Sequence, residues 1–415
     1  MRQWKYTLFF QTKGGKKQLI VNRVERHLIK KSNPMWKTVD YYSYQAKNLY
    51  NEANYIVRQY FINNRTYHNY NKMDKMRKIL PSYYLLGTQC SQCTLILLDR
   101  NWLSFFRAIK DCSKKKGIGY SGRPALPKYK KKDGRSVLML KNIQYHIIGG
   151  KVKFAWKPFR QFTDIKTNIT GKPMQLRFVP QNSSYWMEIC YQVEIPDVID
   201  KTERIVGIDL GVNNFVTIAN NSGVKPIIVN GRIIKSMNQY FNKKKSLIQS
   251  ETGVVVNNRL RNLTDKHMRK IDYFMHCASK LVIDYCLKYN FDIIVIGKND
   301  WWKDRINIGH KNNQTFESIP YEKFLTKLRY KAENAGIKVI ETEESYTSGT
   351  SFLDNELPVK ENYNKKRRKK RGLFKSNDGN IINADLNGAY QIIRKVFPNF
   401  EWDRGCDLHP IRFNV

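Results

Sequence analysis

The sequence predicts a multidomain protein of mixed α+β and α/β class. We expect an N-terminal module with the character of a β-barrel that carries inserted helices, followed by a C-terminal α/β domain with a mixed sheet. The first observation is a change of pattern at Pro196, where strand-like runs around a helical block give way to alternating strands and helices. The second is size, because 415 residues, of which 41% are hydrophobic, suffice for about two to four packed domains.

Strand signals flank the N-terminal module on both sides. Gly14 and Gly15 separate two β-rich runs, which indicates a hairpin. In residues 185–195, apolar and polar side chains alternate with the period of a strand that has two different faces. The preceding segment, residues 181–184, has the composition of a turn.

Residues 40–112 show the apolar spacing of helices. Asp40 is the candidate N-cap of the first helix, and a second amphipathic helix runs through Leu95 and Ile109. Cys90 and Cys93 form a single CxxC near the start of that second helix. Because no second cysteine pair accompanies them, the pattern indicates helix packing and not a metal site.

The second half of the chain alternates between short apolar strands and helices. The predicted order is three strands, a helix over about 255–289, a strand at 292–297, a helix that starts at Ser318-Ile319-Pro320, a strand at 337–342 and a final helix after Asn383. Gly336 is expected to end the middle helix. This order predicts an α/β domain with a mixed sheet.

Charge points to a polyanionic partner. The chain has 74 Lys and Arg against 35 Asp and Glu, a net charge of +39, which a small-metabolite enzyme does not need. No run approaches the length of a membrane span, and the basic N-terminus has no complete secretory segment. Seven cysteines, an odd number, favour a reducing compartment, and we expect a cytoplasmic, nucleoid-associated protein with no membrane partner.

Two carboxylates stand out in this basic chain. Asp209 interrupts the apolar strand VGIDLG, and Asp385 opens the final helix in NADLNGA, among small residues. A buried carboxylate is costly unless a cation accompanies it, and oxygen ligands suit hard divalent cations. The alternative is that Asp209 simply ends a strand and Asp385 caps a helix.

The amino-acid sequences of several segments resemble those of a known family. GIDLGVNNFVTI, DIIVIGKN, EESYTS and GLFKS…GNIINADLNGAYQIIRKV, in that order, are similar to TnpB, the transposon-encoded RNA-guided nucleases related to type V CRISPR effectors. The resemblance implies an RNase H-like RuvC nuclease domain behind a wedge-type β-barrel. The implied domains are the wedge at 1–39 and 113–196, a helical recognition insert at 40–112, and the nuclease domain at 197–415 with a basic insert at 351–380.

One departure concerns the third acidic residue. Where the family pattern has a glutamate at the end of the fourth strand, this chain has Gly297. We expect Glu344 on the neighbouring strand end to replace it, with Glu343 in reserve, since alternation sends the two to opposite faces. Glu317 and Glu322 are weaker candidates. The implied site holds two Mg²⁺ ions on Asp209, Glu344 and Asp385.

A second departure concerns zinc. Residues 347–384 contain no cysteine, so no zinc is expected. Many members of the family carry two CxxC pairs in this region. Here residues 365–371 are all basic instead. The predicted nucleic-acid contacts are Arg123, Lys128, Tyr129, Lys130, Lys131, Lys366, Arg367 and Arg368, with Trp301 and Trp302 as further stacking candidates.

The resemblance implies RNA-guided cleavage of double-stranded DNA beside a short adjacent motif, with a guide RNA from the transposon end as partner. Gly297 motivates an alternative, a nuclease-inactive RNA-guided DNA-binding protein that acts as a repressor. A third hypothesis is that the protein is a DNA transposase with the same nuclease fold.

Overall fold

The computed structural model describes residues 9–13, 16–196, 204–253, 257–298, 319–370, 372–400 and 408–415. The chain divides into two compact units, Met1–Glu194 and Ile195–Val415. Both units combine helices with several sheets, in agreement with the predicted mixed class. No helix within the described ranges combines the length and the apolar character that a bilayer crossing requires.

The first unit contains eight described strands and four described helices. A five-stranded sheet has the order β1-β2-β8-β7-β3, and a small sheet has the order β4-β5-β6. The strands are β1 (Phe9–Lys13), β2 (Lys16–Ile29), β3 (Leu138–Lys141), β4 (Tyr145–Ile148), β5 (Lys151–Phe154), β6 (Ile165–Lys166), β7 (Lys172–Gln181) and β8 (Ser184–Ile195). The helices are α1 (Trp36–Asn64), α2 (Tyr70–Lys75), α3 (Pro81–Leu86) and α4 (Thr88–Lys114).

The N-terminal strands form the expected antiparallel hairpin, although Gly14 and Gly15 lie outside the described residues. The larger sheet is open in its hydrogen-bonded order, with β1 and β3 at its two edges. Closure into a wedge-type barrel therefore stays a prediction.

Asp40 does not cap the first helix, as the sequence had suggested. Helix α1 begins at Trp36, and Asp40 lies one turn inside it. Its carboxylate accepts hydrogen bonds from Arg135 Nε at 3.0 Å and from Tyr185 Oη at 2.7 Å. The sequence-based prediction is wrong because these partners are 95 and 145 residues away along the chain.

Strand β8 has the predicted two faces, but its polar face is covered too. Tyr185, Met187 and Ile189 are buried in the core. Glu188, on the other face, is only 3% exposed, because Arg26 and Arg177 both bond its carboxylate. A buried carboxylate of this kind is stable only with such partners.

The second unit is built on a six-stranded sheet with the order β13-β12-β9-β10-β11-β17. Its strands are β9 (Ile205–Leu210), β10 (Asn214–Asn220), β11 (Ile227–Asn230), β12 (Ile293–Gly297), β13 (Lys338–Thr342) and β17 (Ile411–Phe413). A separate small sheet contains β14 (Arg368–Lys370), β15 (Leu373–Lys375) and β16 (Ile381–Asn383). The helices are α5 (Arg232–Thr252), α6 (Asn258–Lys288), α7 (Tyr321–Asn334) and α8 (Ala384–Val396).

The sheet is mixed, as predicted. β9, β12 and β13 run parallel, whereas β10 pairs antiparallel with both β9 and β11. The three parallel strands therefore end at one edge of the sheet, where an α/β fold places its functional side chains.

Helix α5 is an element that the sequence-based prediction omits. Ile234, Asn238 and Ile248 are buried in its 21 residues, and Ile233 and Met237 pack against the core, so the helical spacing of apolar residues is present in its first turns. Helix α7 begins beside Pro320 and ends before Gly336, which has a φ of 70° as a helix-ending glycine should. Ser318, its predicted cap, lies outside the described residues.

Helix α8 packs directly on β9. A Cβ atom on Gly207 would lie 2.3 Å from the carbonyl oxygen of Ala389 and 2.5 Å from Ile393 Cγ1. Only glycine permits this approach of helix and strand. The approach brings the first turn of α8 close to the carboxyl end of β9.

Candidate active site

Three parallel strand ends and one helix start define the site. Asp209 is the penultimate residue of β9, Gly297 is the last residue of β12, and Glu344 follows β13 by two positions. Since β12 lies between β9 and β13, a side chain from β13 must pass over the end of β12 to reach Asp209.

Gly297 leaves the room for this passage. A Cβ atom at position 297 would lie 2.6 Å from Glu344 Cγ and 2.9 Å from Glu344 Oε1. It would also lie 2.5 Å from Ile392 Cδ1. The Glu344 side chain thus occupies the space that a side chain on β12 would need.

Asp385 reaches the same place from the first turn of α8. Asn383 is the N-cap of this helix, and its side-chain oxygen accepts from the backbone N–H of Asp385 and Leu386. Capping is therefore the role of Asn383, which leaves the Asp385 carboxylate for another use. One turn on, a Cβ on Gly388 would lie 2.9 Å from Asp209 Oδ2, so helix and carboxylate are in close contact.

The electrostatics show that the three carboxylates share one environment. Burial, reinforced by the negative charges of Glu344 and Asp385, raises the pKa of Asp209 well above its ordinary value. Burial raises the pKa of Glu344 to about 7, against the opposing charge of Lys395. A cluster of partly desolvated carboxylates of this kind is a typical functional-site signature.

Arg368 stands beside this cluster. Its Nη2 lies 3.6 Å from Asp385 Oδ1, and its charge opposes the rise in the pKa of Asp209. Asn214 Nδ2 donates to the other oxygen of Asp385 at 2.7 Å. Within the described ranges, no three His, Cys, Asp or Glu side chains are already arranged so that they could hold a metal ion together. The donor chemistry, three carboxylates, still fits a hard divalent cation.

The other predicted glutamates point elsewhere. Glu343 is 60% exposed and pairs with Lys395 at 3.2 Å. Glu322 pairs with Arg329 at 2.9 Å and with Lys298 at 3.3 Å, so it belongs to a peripheral ion-pair network. Glu317, Trp301 and Trp302 lie outside the described residues. Of the two alternatives at the end of β13, the structure brings Glu344 to Asp209.

Tyr321 is a site residue that sequence reasoning missed. Its hydroxyl donates to the Gly211 carbonyl at 3.0 Å, and its ring stacks on Phe215. Burial and the charges of Asp209 and Glu344 raise its pKa. It ties the start of α7 to the loop that follows Asp209, a contact that no local pattern in the sequence announces.

The predicted basic contacts fall into different environments. Arg123, Lys128, Tyr129, Lys131 and Lys366 are exposed, and Lys130 is half-buried. Arg367 is engaged inside the protein. Its guanidinium makes a two-pronged ion pair with Glu356, at 2.5 and 2.7 Å, and donates to Asn377. Its role as a nucleic-acid contact stays a prediction.

The CxxC pair has the expected structural character. Cys90 and Cys93 are buried in the first turns of α4, and Gln144 lies within hydrogen-bond distance of Cys90 Sγ. Burial raises the pKa of Cys90 to about 12, so the thiol stays protonated.

Comparison with known proteins identifies related families. Residues 188–301 match the IS605 OrfB family, described as a probable transposase, and residues 321–392 match the Cas12f1-like TNB domain. A TnpB-like protein, ORF457 of Acidianus two-tailed virus, is 22% identical over 392 aligned residues that cover 84% of this chain and 81% of the relative.

Solved structures with similar chains include two complexes with nucleic acid. One is a Cas12f1–sgRNA–target DNA complex, with 15% identity, a TM-score of 0.37 and coverage of 89% of this chain and 98% of that one. Another is CasPhi-2 (Cas12j) bound to crRNA and phosphorothioate DNA, with 7% identity, a TM-score of 0.46 and coverage of 92% of each chain.

Proposed function

From the premise that this chain is a TnpB-family protein, we propose that it is a transposon-encoded, RNA-guided DNA endonuclease. It would hydrolyse phosphodiester bonds of guide-matched double-stranded DNA beside a short adjacent motif. The observation that carries the proposal is the Glu344 side chain, which lies over Gly297 and beside Asp209. The carboxylate that is missing from β12 is supplied by β13.

The residues have separate tasks. Asp209, Glu344 and Asp385 would hold two divalent cations, with Mg²⁺ as the expected metal. When bound, such cations activate water and stabilise the charge on the attacking and leaving oxygens. Tyr321 fixes the loop after Asp209 through the Gly211 carbonyl. Arg368 holds a positive charge at the edge of the cluster, where a phosphate would enter.

The charge of +39 supports guide RNA and target DNA as partners. In such a system base pairing selects the target, while the protein recognises the backbone and the shape of the heteroduplex. The first unit would read the short adjacent motif. The nuclease domain in this proposal is the second unit, with an RNase H-like RuvC arrangement of its mixed sheet.

A nuclease-inactive RNA-guided repressor is the second candidate. The observation that favours it is the Asp385 carboxylate, which Asn214 and Arg368 engage on its two oxygens. In the repressor, these contacts would hold the Asp385 carboxylate permanently. In the endonuclease, Asn214 and Arg368 would release it, so that Asp385 could hold a divalent cation.

Plasmid cleavage in Mg²⁺, with the protein co-expressed with its native flanking RNA, tests the proposal. We expect wild type to cut the guided target and Asp209→Ala and Glu344→Ala to lose activity. Glu343→Ala is the matched control, since it removes the adjacent, exposed carboxylate, and it should keep cutting. Guided binding without any cleavage by wild type would instead establish the repressor.

A positional exchange sharpens the test. The triple variant Gly297→Glu, Glu344→Gly and Ile392→Val moves the carboxylate from β13 to β12 and removes the Ile392 Cδ1 atom that a side chain at position 297 would meet, so it should recover part of the activity that Glu344→Gly loses. If Glu344→Gly alone cuts as wild type does, Glu344 is not the third ligand.

A further inference from the structure

A cleft in the first unit lies apart from the acidic cluster. It has a volume of about 520 Å³ and lies between α1, the C-terminal half of α4 and the segment from Pro124 to Lys130. This volume falls within the range of about 300–1,000 Å³ that is typical of small-molecule sites.

The segment that forms one wall is held in place by helix α1. Asn51 accepts from the backbone N–H of Lys130 at 2.8 Å and donates to its carbonyl at 3.0 Å. One and two turns further, Asn54 and Arg58 donate to the Pro127 carbonyl at 3.1 and 2.9 Å. The basic segment is therefore held in place as a wall of the cleft.

The lining combines three kinds of group. Apolar walls come from Phe105, Ala108, Pro124 and Pro127, and the ring of Tyr129 is 44% exposed at the rim. Asn101 and Ser104 supply an amide and a hydroxyl, while Lys128 and Lys130 supply two cations. No Asp or Glu is among the lining residues.

Lys130 is the lining residue that favours a negatively charged ligand. It is half-buried, and its Nζ lies 5.1 Å from the centroid of the Tyr50 ring. Burial lowers its pKa. An ammonium group in such a place is stabilised by an anion, and the cleft has no carboxylate to provide one.

We propose that this cleft binds one unpaired nucleotide of a bound nucleic-acid strand. Lys128 and Lys130 would take its phosphate, Tyr129 and Phe105 would pack against the face of its base, and Asn101 and Ser104 would meet the polar edge. The proposal rests on the proposed function for its ligand, a guide RNA or a target DNA strand. An extruded base fits a concave site with aromatic walls, whereas a paired base in a duplex cannot enter it.

The test uses base content as the variable. The probes are fluorescent oligouridylate, oligothymidylate and abasic strands of the same length and backbone, and the protein carries Asp209→Asn so that no strand is cut. Wild type in this background should bind the base-containing strand about tenfold more tightly than its abasic counterpart, as one stacked base implies. The RNA and DNA pairs show which strand supplies the nucleotide.

Two tryptophan variants of α4 separate the cleft from the surface. Ser104→Trp fills the cleft and should abolish the preference for bases while affinity for the abasic strand remains. Leu103→Trp, on an exposed neighbouring position outside the cleft, should keep the preference. Lys130→Gln should weaken binding of base-containing and abasic strands alike.

Equal affinity of wild type for base-containing and abasic strands would overturn the proposal, as would equal behaviour of the two tryptophan variants. Failure here is distinct from failure of the proposed function. A protein that cuts guided plasmid but shows no base preference contradicts only the cleft, and one with base preference but no cleavage contradicts only the nuclease.

Discussion

Gly297 is the residue on which the geometry of the acidic site depends. Its missing side chain lets Glu344 cross the end of β12 and meet Asp209. A Cβ atom at this position would also clash with Ile392 of α8. Two different neighbours therefore require glycine, one for the site and one for packing.

Gly297→Ala should lower both stability and DNA cleavage. The new methyl group overpacks the core, at a cost of about 1–3 kcal/mol, and displaces the Glu344 side chain. Thermal unfolding and plasmid cleavage measure the two effects.

The double variant Gly297→Ala with Ile392→Val separates these effects. The shorter side chain removes the contact with Ile392 Cδ1, so stability should recover, while cleavage stays low because Glu344 is still displaced. Full recovery of cleavage in the double variant would show that the methyl acts through packing alone.

The negative charge of Asp209, which the proposed function requires, lowers the stability of the folded protein. Burial and two neighbouring carboxylates disfavour its charge in the folded protein. Asp209→Asn should abolish cleavage but raise Tm in chelator by about 2–4 °C, the shift that 1 kcal/mol produces in a unit of this size. Mg²⁺ should raise Tm of wild type only.

Glu343→Gln is the control for that measurement, because Glu343 is exposed and its loss should leave Tm unchanged in chelator. A lower Tm for Asp209→Asn would mean that the carboxylate has stabilising contacts that outweigh the repulsion.

At the scale of elements, the contact between α6 and α7 supports the sheet from one face. Lys331 of α7 reaches back to α6, where its Nζ donates to the His276 carbonyl at 2.7 Å and to Ser279 Oγ at 2.8 Å. Burial, aided by the charge of Lys327, lowers the pKa of Lys331 from 10.5 to about 8. The packing of two helices is thus coupled to one proton.

The sign of the resulting pH dependence is defined. Between pH 8 and 10.5 the unfolded chain binds this proton more than the folded chain does, so wild type gains stability as pH rises through that window. Lys331→Met removes the titrating group, and its Tm relative to wild type should fall across the same window.

Thermal unfolding of both proteins at several pH values checks this expectation. Lys266→Met, an exposed lysine on α6, serves as the control and should run parallel to wild type. A constant difference in Tm between Lys331→Met and wild type would contradict the coupling.

At the scale of the whole molecule, the excess of basic residues is the dominant property. The net charge of +39 is spread over two compact units, and even the basic insert carries exposed lysines beside the engaged Arg367. Ion pairs such as Arg367 with Glu356 leave this net charge unchanged, because each joins one basic residue to one acidic residue. The excess positive charge is what a polyanionic partner would neutralise.

Binding of the guide RNA should therefore weaken steeply with salt. With about 6–10 phosphate contacts, affinity should fall by about 10³–10⁵ between 50 and 200 mM salt. Filter binding or fluorescence anisotropy over a salt series measures the slope. A flat salt dependence would show that base-specific or apolar contacts dominate instead.

The sequence by itself determined the mixed α and β fold class and most of the strands and long helices. It also singled out Asp209 and Asp385 as candidate site residues. These features are local: the period of apolar side chains, a carboxylate inside a buried strand, a start signal before a helix. The periodicity prediction omitted α5, although Ile233, Ile234 and Met237 have helical spacing. It misplaced the start of α1, because Asp40 has distant partners.

The sequence favoured Glu344 over Glu343, and the tertiary structure places Glu344 beside Asp209 while Glu343 pairs with Lys395. Only the tertiary structure shows that Arg368 and Tyr321 lie near the same carboxylates. The physical reason is that each decision depends on what lies across a strand or helix far away in sequence. β12 lies between β9 and β13, and Glu344 reaches Asp209 across it because β12 ends in a glycine. Strand order and the space above one residue are properties of the folded sheet, and no local pattern encodes them.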